Sequence, residues 1–163
     1  MSNYGFKQAI EKFNFDLIET PVGDKYVAEA MKKYDAALGG EQSGHIIISD
    51  QLPVGDGLVT LIYVLKAMQH FGVALSDFKR EHLYEYPQKL TNLELENKLN
   101  DEELEYINQI ALDMSIKKDL DGRYLIRNSG TEPLLRVLVE AKSNEAMEDF
   151  SNELITKINK YLN

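Results

Sequence analysis

Seven consecutive residues, Arg127-Asn128-Ser129-Gly130-Thr131-Glu132-Pro133, followed by Arg136, put a guanidinium, two hydroxyls and a glycine into one short bend. Successive backbone N–H groups turned into such a concavity form an anion nest, and a glycine lets the backbone approach a ligand closely. Arg127 can add a planar two-point fork to two phosphate oxygens. Ser129 and Thr131 add O–H donors. The set suits a dianionic phosphate ester that is bound and not attacked, since no nucleophile–base pair accompanies it. The competing reading is an ordinary hydrogen-bonded hairpin with a solvated arginine.

The elements that must hold this bend are two strands, expected over Arg123–Arg127 and Leu134–Ala141. Asp121-Gly122 turns the chain into the first of them. Arg136 lies on the same side of its strand as Leu134 and Leu138. A guanidinium placed there needs a partner, and Glu132 and Glu140 are the nearby acids. A strand over Gln88–Glu96 precedes a helix capped by Asn100, with Glu103 three residues on in a capping-box pattern. Leu104, Ile107, Ala111 and Met114 form the inner stripe of that helix. A last helix starts near Asn144, capped by Ser143, and repeats Met147, Phe150, Leu154, Ile158 and Tyr161 at helical spacing. This half reads as a small α+β domain with helices on one face of a sheet.

The first half alternates helix and strand, as an α/β layer does. A short helix is expected over Met1–Lys12, and Phe13–Glu19 reads as a strand. Asp24 is placed to cap a helix bearing Val27, Met31 and Tyr34. His45–Ser49 reads as a short buried strand. Asp56 is the expected N-cap of a helix that is apolar on most faces from Leu58 to Phe71, so it reads as buried, with Gly72 as its stop. Ser76–Pro87 is charged and reads as a connector, which places a domain boundary near residue 82, giving domains 1–82 and 83–163. There is no internal repeat and no low-complexity tract.

The 163 residues are 44% hydrophobic and carry a net charge of −9. That balance argues against a nucleic-acid or anionic membrane partner, so an anionic ligand must be held by a local positive site. No cysteine is present, hence no disulfide and no thiolate metal site. The three histidines are scattered and suggest no metal cluster; His70 and His82 read as structural. No basic segment followed by a long apolar run opens the chain, and no stretch approaches the roughly 18–20 apolar residues of a membrane span. A cytoplasmic setting is the expectation.

Arg127–Pro133 resembles the phosphate loop R-x-S-G-T-E-P of the α-D-phosphohexomutase superfamily. Gly40-Glu41-Gln42-Ser43-Gly44-His45 resembles its sugar-binding loop, G-E-x-S-G-H. Both motifs occur in order, and Gln42 together with Val22-Gly23-Asp24-Lys25-Tyr26-Val27 most resembles the bacterial phosphoglucosamine mutase branch. The resemblance covers nearly the whole chain but only the C-terminal part of such an enzyme.

It implies that the full enzyme interconverts glucosamine 6-phosphate and glucosamine 1-phosphate through a phosphoserine and a bisphosphate, with Mg2+ neutralising developing charge. The serine loop, like T-A-S-H-N, and the Mg2+ loop, like D-G-D-x-D-R, are absent from this sequence. The chain is thus expected to hold no metal and no catalytic residue of its own, to lack the N-terminal domains, and to begin inside the third domain. A sheet edge left open there invites self-association. The resemblance assigns Glu41, Gln42, Ser43, His45 and Lys25 to the sugar. It assigns Arg127, Asn128, Ser129, Gly130, Thr131 and Arg136 to the phosphate. His45 is read as an acid, a base or a phosphate contact. A mannose or glucose phosphate substrate, or a non-catalytic phosphosugar-binding role, stays open.

Overall fold

The computed structural model describes residues 2–162. The chain forms two compact units, Met1–Tyr84 and Glu85–Asn163.

The second unit is built on three antiparallel strands in the order β3-β5-β4, with β3 at Gln88–Glu94, β4 at Gly122–Asn128 and β5 at Leu134–Ala141. Two helices, α5 (Asp101–Lys117) and α6 (Asn144–Leu162), pack on one face. Strand alternation explains the choice of face. Leu135, Val137, Val139 and Ala141 of β5 are fully buried against Ile107, Ala111 and Met114 of α5 and Met147, Phe150, Leu154 and Ile158 of α6. Tyr161, expected in the α6 stripe, is exposed. Asn100 caps α5 in a complete capping box with Glu103, and Ser143 Oγ accepts from the Ala146 amide at the start of α6.

The turn into β4 is pinned by Asp121. It accepts from Lys142 Nζ at 2.9 Å and from the Tyr86 hydroxyl at 3.1 Å. The hydrogen bond from Lys142 holds its carboxyl below the usual carboxylate range.

The opposite sheet face carries Arg127, Arg136 and Asn92 in one cross-strand row, then Leu125, Leu138 and Leu90, then Arg123, Glu140 and Gln88. Glu140, 1% exposed, pairs with Arg123. It is therefore not the partner of Arg136.

The first unit contains α1 (Tyr4–Lys12), α2 (Asp24–Tyr34), a two-stranded hairpin of β1 (Leu38–Gly40) and β2 (Ile46–Ile48), α3 (Gly57–Phe71) and α4 (Leu75–His82). Several expectations change here. Met1, where the first helix was expected to begin, lies outside the described residues. Phe13–Glu19 is not a strand: α1 closes at Phe13, Asn14 takes a left-handed φ of 57°, and the following residues find no ladder partner among the described residues. A strand exists only through hydrogen bonds to a neighbour, so alternation alone does not make one. Asp24 is the first helical residue and not the cap, which is Gly23. Leu38–Gly40, unread as a strand in the sequence, pairs with Ile46–Ile48, of which only Ile47 is buried. The charged connector contains the helix α4.

The largest difference concerns α3. Asp56 caps it through the Val59 amide at 2.8 Å and Gly72 closes it in the left-handed region, as expected. Yet no residue of this helix is buried, and Leu58 is 74% exposed. An all-apolar helix needs cover on more than one side, and the described residues do not supply it. Among the described residues no single helix is long and apolar enough to cross a membrane; α3 and α4 pass that test only together, across a 77° bend.

Phe150→Ala should remove about 3–5 kcal/mol from the second unit, the usual cost of emptying a packed aromatic site. Leu58→Ala in α3 should change stability by less than about 0.5 kcal/mol. Urea titration followed by circular dichroism, with hydrogen exchange of the α6 amides, compares the two. A Leu58→Ala loss as large as that of Phe150→Ala would show that α3 is packed in solution.

Candidate functional site

In the second unit, the register pairs Arg127 directly with Arg136. Facing side chains on adjacent antiparallel strands lie about 4.5–5.5 Å apart at Cβ, and like charges so placed repel. Nothing nearby neutralises them well. Glu132 reaches Arg136 only at 3.9 Å, and both are partly solvated. Arg136 Nε is buried without a hydrogen-bond partner.

The loop between them adds further unused donors. Ser129 is 2% exposed, and its Oγ has no partner. Its own amide donates to Leu134 O at 2.7 Å, closing the base of the loop. Among the described residues, the amides of Gly130, Thr131 and Glu132 find no acceptor. Thr131 is exposed. A Cβ on Gly130 would meet nothing within 4 Å, so no neighbour in the fold demands glycine there. Buried donors without acceptors are rare and need a reason. The Ser129 hydroxyl and Arg136 Nε are such donors, whereas the free amides lie on exposed residues; together with the two opposed guanidiniums they form a set that could take an anion with several oxygens.

Asn128 does not share that role. Strand alternation sends its side chain to the face opposite Arg127. There its Nδ2 donates to Leu99 O at 2.8 Å and its Oδ1 accepts from the Leu99 amide at 3.3 Å. Both ends of the amide are used by the backbone, so Asn128 clamps the loop and does not ligate with its side chain. Lys98, unnoticed in the sequence, donates from Nζ to Gly130 O at 2.6 Å. The Leu95 amide donates to Pro133 O at 2.9 Å. The only sequence trace of this strap is its position just before the Asn100 cap.

In the first unit, the hairpin end between β1 and β2 gathers Glu41, Ser43 and His45. Glu41 Oε1 accepts from the Gly23 amide at 2.5 Å, which ties the loop to the start of α2. Ser43 Oγ donates to Glu41 Oε2 at 3.2 Å and lies 3.1 Å from His45 Nδ1. A serine hydroxyl has one proton. With that proton on the carboxylate, Ser43 accepts from Nδ1–H and leaves Nε2 to face outward. The Glu41 amide donates to His45 O and the Gly44 amide to Glu41 O, while Gly44 takes a φ of +95°. Gln42 is exposed. Lys25 is exposed and lies 3.8 Å from Glu29. Among the described residues no group of three or more His, Asp or Glu side chains could hold a metal ion.

Family models match both units. Residues 1–86 match "phosphoglucomutase/phosphomannomutase, alpha/beta/alpha domain III", and residues 90–157 match the C-terminal domain of the same family. The chain belongs to the phosphoglucomutase/phosphomannomutase family. Curated relatives within this phosphohexomutase family include the phosphoglucosamine mutase of Streptococcus agalactiae, 46% identical over 150 residues, which spans 91% of this chain and 33% of that protein. The phosphoglucosamine mutase of Bacillus subtilis is 41% identical over 155 residues, 95% of this chain and 34% of that protein. The chain thus spans about a third of the length of these relatives. Among solved structures, Aspergillus fumigatus N-acetylphosphoglucosamine mutase superposes with a TM-score of 0.77 at 18% identity, over 99% of this chain and 37% of that one. That likeness shows the shared phosphohexomutase fold.

Two glycines separate fold from ligand. Gly44→Ala should cost on the order of 1 kcal/mol, because φ near +95° strains any residue with a Cβ. Gly130→Ala should leave the thermal midpoint of the second unit unchanged and still weaken phosphate binding by crowding the loop. Thermal melts and phosphate titrations of the two variants give the comparison; a clear loss of stability in Gly130→Ala would mean that the fold needs that glycine.

Proposed function

We propose that this chain supplies the sugar and phosphate grips of a phosphoglucosamine mutase, which interconverts glucosamine 6-phosphate and glucosamine 1-phosphate. The observation that carries the reading is the opposed pair Arg127 and Arg136 beside the unpartnered Ser129 hydroxyl. The names of the curated relatives support the amino sugar. A solved relative in complex with GlcNAc-6P and magnesium supports a phosphosugar ligand in the family.

In this reading Arg127, Arg136, Ser129 and the amides of Gly130 and Thr131 hold the phosphate that is not reacting. Glu41 and Ser43 hold sugar hydroxyls, with Gln42 beside the substituent at C2, Lys25 near the phosphosugar, and His45 oriented by Ser43. In this reading the phosphoryl donor and Mg2+ are held by other parts of the full-length enzyme. What the chain contributes is positioning: fixing both ends of the sugar removes the orientational freedom that otherwise raises the barrier. The proposed setting is cytoplasmic. The remaining domains cover α3 and residues 15–19, and in their absence copies of this chain associate through those surfaces. Sedimentation should therefore show association at micromolar concentration; a strict monomer would count against it.

The chain alone should give no turnover of glucosamine 6-phosphate in a coupled assay with Mg2+ and a bisphosphate activator. Arg127→Ala should weaken glucosamine 6-phosphate binding more than Glu41→Ala does. A charge-assisted fork contributes roughly 1.5–3 kcal/mol, whereas a carboxylate must shed water to contact neutral hydroxyls. Arg127→Lys should rescue only in part. Calorimetric titration of the three variants decides. Wild-type affinity in Arg127→Ala, with failure in Glu41→Ala, would refute the phosphate assignment.

A further inference from the structure

We propose that Lys98 is a positioning residue of the anion loop, setting the orientation of the Gly130–Thr131 peptide so that the Thr131 amide faces the ligand. The inference rests on the anion reading of this loop and adds to it a residue from outside the motif.

A trans peptide is planar, and its C=O and N–H point in opposite directions. Lys98 Nζ holds the Gly130 carbonyl at 2.6 Å, so the Thr131 N–H of that same peptide must point away from Lys98. The direction is fixed by the neighbouring anchors. Leu99 is gripped at two points by Asn128, whose side chain lies on the sheet face opposite Arg127 and Arg136. Leu95 is tied to Pro133 at the other end of the loop. The Leu95 bond continues the β3–β5 ladder, and by Leu99 the strap has crossed to the helix side of the loop. An amide turned away from it faces the side of the two arginines.

Without Lys98, the peptide is free to flip. A flip would present a carbonyl oxygen to the anion in place of an N–H, exchanging an attraction for a repulsion. The ammonium also adds a third positive charge beside Arg127 and Arg136, but that contribution is screened by salt. The peptide orientation is not, and this difference separates the two effects.

The test titrates inorganic phosphate and glucosamine 6-phosphate into the isotopically labelled chain, following the backbone amides by NMR at about 0.02 M and 0.5 M salt. Lys98→Met is compared with wild type, Lys98→Arg and Arg127→Ala. Lys98 is exposed, so Lys98→Met should fold normally. The expected result is a five- to tenfold weaker affinity in Lys98→Met at both salt concentrations, with loss of the phosphate-induced shift of the Thr131 amide. Lys98→Arg, which still donates to Gly130 O, should recover most of both. A loss that disappears at high salt, or an unchanged Thr131 shift in Lys98→Met, overturns the proposal while leaving the anion reading intact. Wild-type affinity in Arg127→Ala overturns the anion reading itself.

Discussion

The register between β4 and β5 governs the chemistry of the second unit. Pairing Ile126 with Val137 buries both against the helices, and the same register sets Arg127 opposite Arg136. A shift of one residue would turn every side chain of β4 to the other face and expose the core. The hydrophobic pattern is thus what forces two cations together. The repulsion between them is carried by the packing of Ile126, Leu135 and Val137. A site built in this way is positively charged before the ligand binds, within a chain of net charge −9. The surrounding negative charge should disfavour anions elsewhere on the surface, so selectivity comes from concentrating the positive potential at one loop.

The two units differ in how completely they close. In the second, each helix turns its apolar stripe to a sheet that has an apolar face to match, and the core residues reach full burial. In the first, the buried cluster among the described residues is Val27, Met31 and Ile47, with Ala28 and Ala36 beside it. A two-stranded hairpin offers too little surface for α3, whose sequence is apolar nearly all round. Its amphipathic neighbours α1, α2 and α4 each need only one covered face. The position of the sugar-type loop nevertheless does not depend on a large core. It is fixed by local hydrogen bonds, from the Gly23 amide to Glu41 and across the hairpin from the Glu41 amide to His45 O.

Legibility in the sequence followed the range of the interactions. Caps at Asp56, Asn100 and Ser143 and the stop at Gly72 were readable because each is decided within four residues. The stripes of α5 and α6 were readable because period 3.6 persists over several turns. Phe13–Glu19 misled because alternation states only which side would be buried, and the pairing partner must come from elsewhere. The burial of α3 misled for the same reason: apolarity announces a need for cover, not its presence. At the site, the arginines and hydroxyls were legible through the motif. The contacts of Asn128 and Lys98 were not, since their partners lie 29 and 32 residues away and are backbone groups of Leu99 and Gly130. Backbone acceptors leave no signature in side-chain composition.

The same distinction explains why the two loops are held so differently. In the proposed role the sugar-type loop presents the Glu41 carboxylate to neutral hydroxyls, so Glu41 must be oriented with acceptor capacity to spare. One amide and one serine hydroxyl achieve that, since both stabilise the anion while leaving lone pairs free. The proposed phosphate role sets the opposite requirement on the 127–133 loop: its own acceptors turned away and its donors left empty. Its carbonyls at Gly130 and Pro133 are occupied by Lys98 and the Leu95 amide, while among the described residues its amides at Gly130, Thr131 and Glu132 find no acceptor. At the base of the loop the buried Ser129 hydroxyl and Arg136 Nε have no hydrogen-bond partner, and these are the donors that the proposed anion role would use.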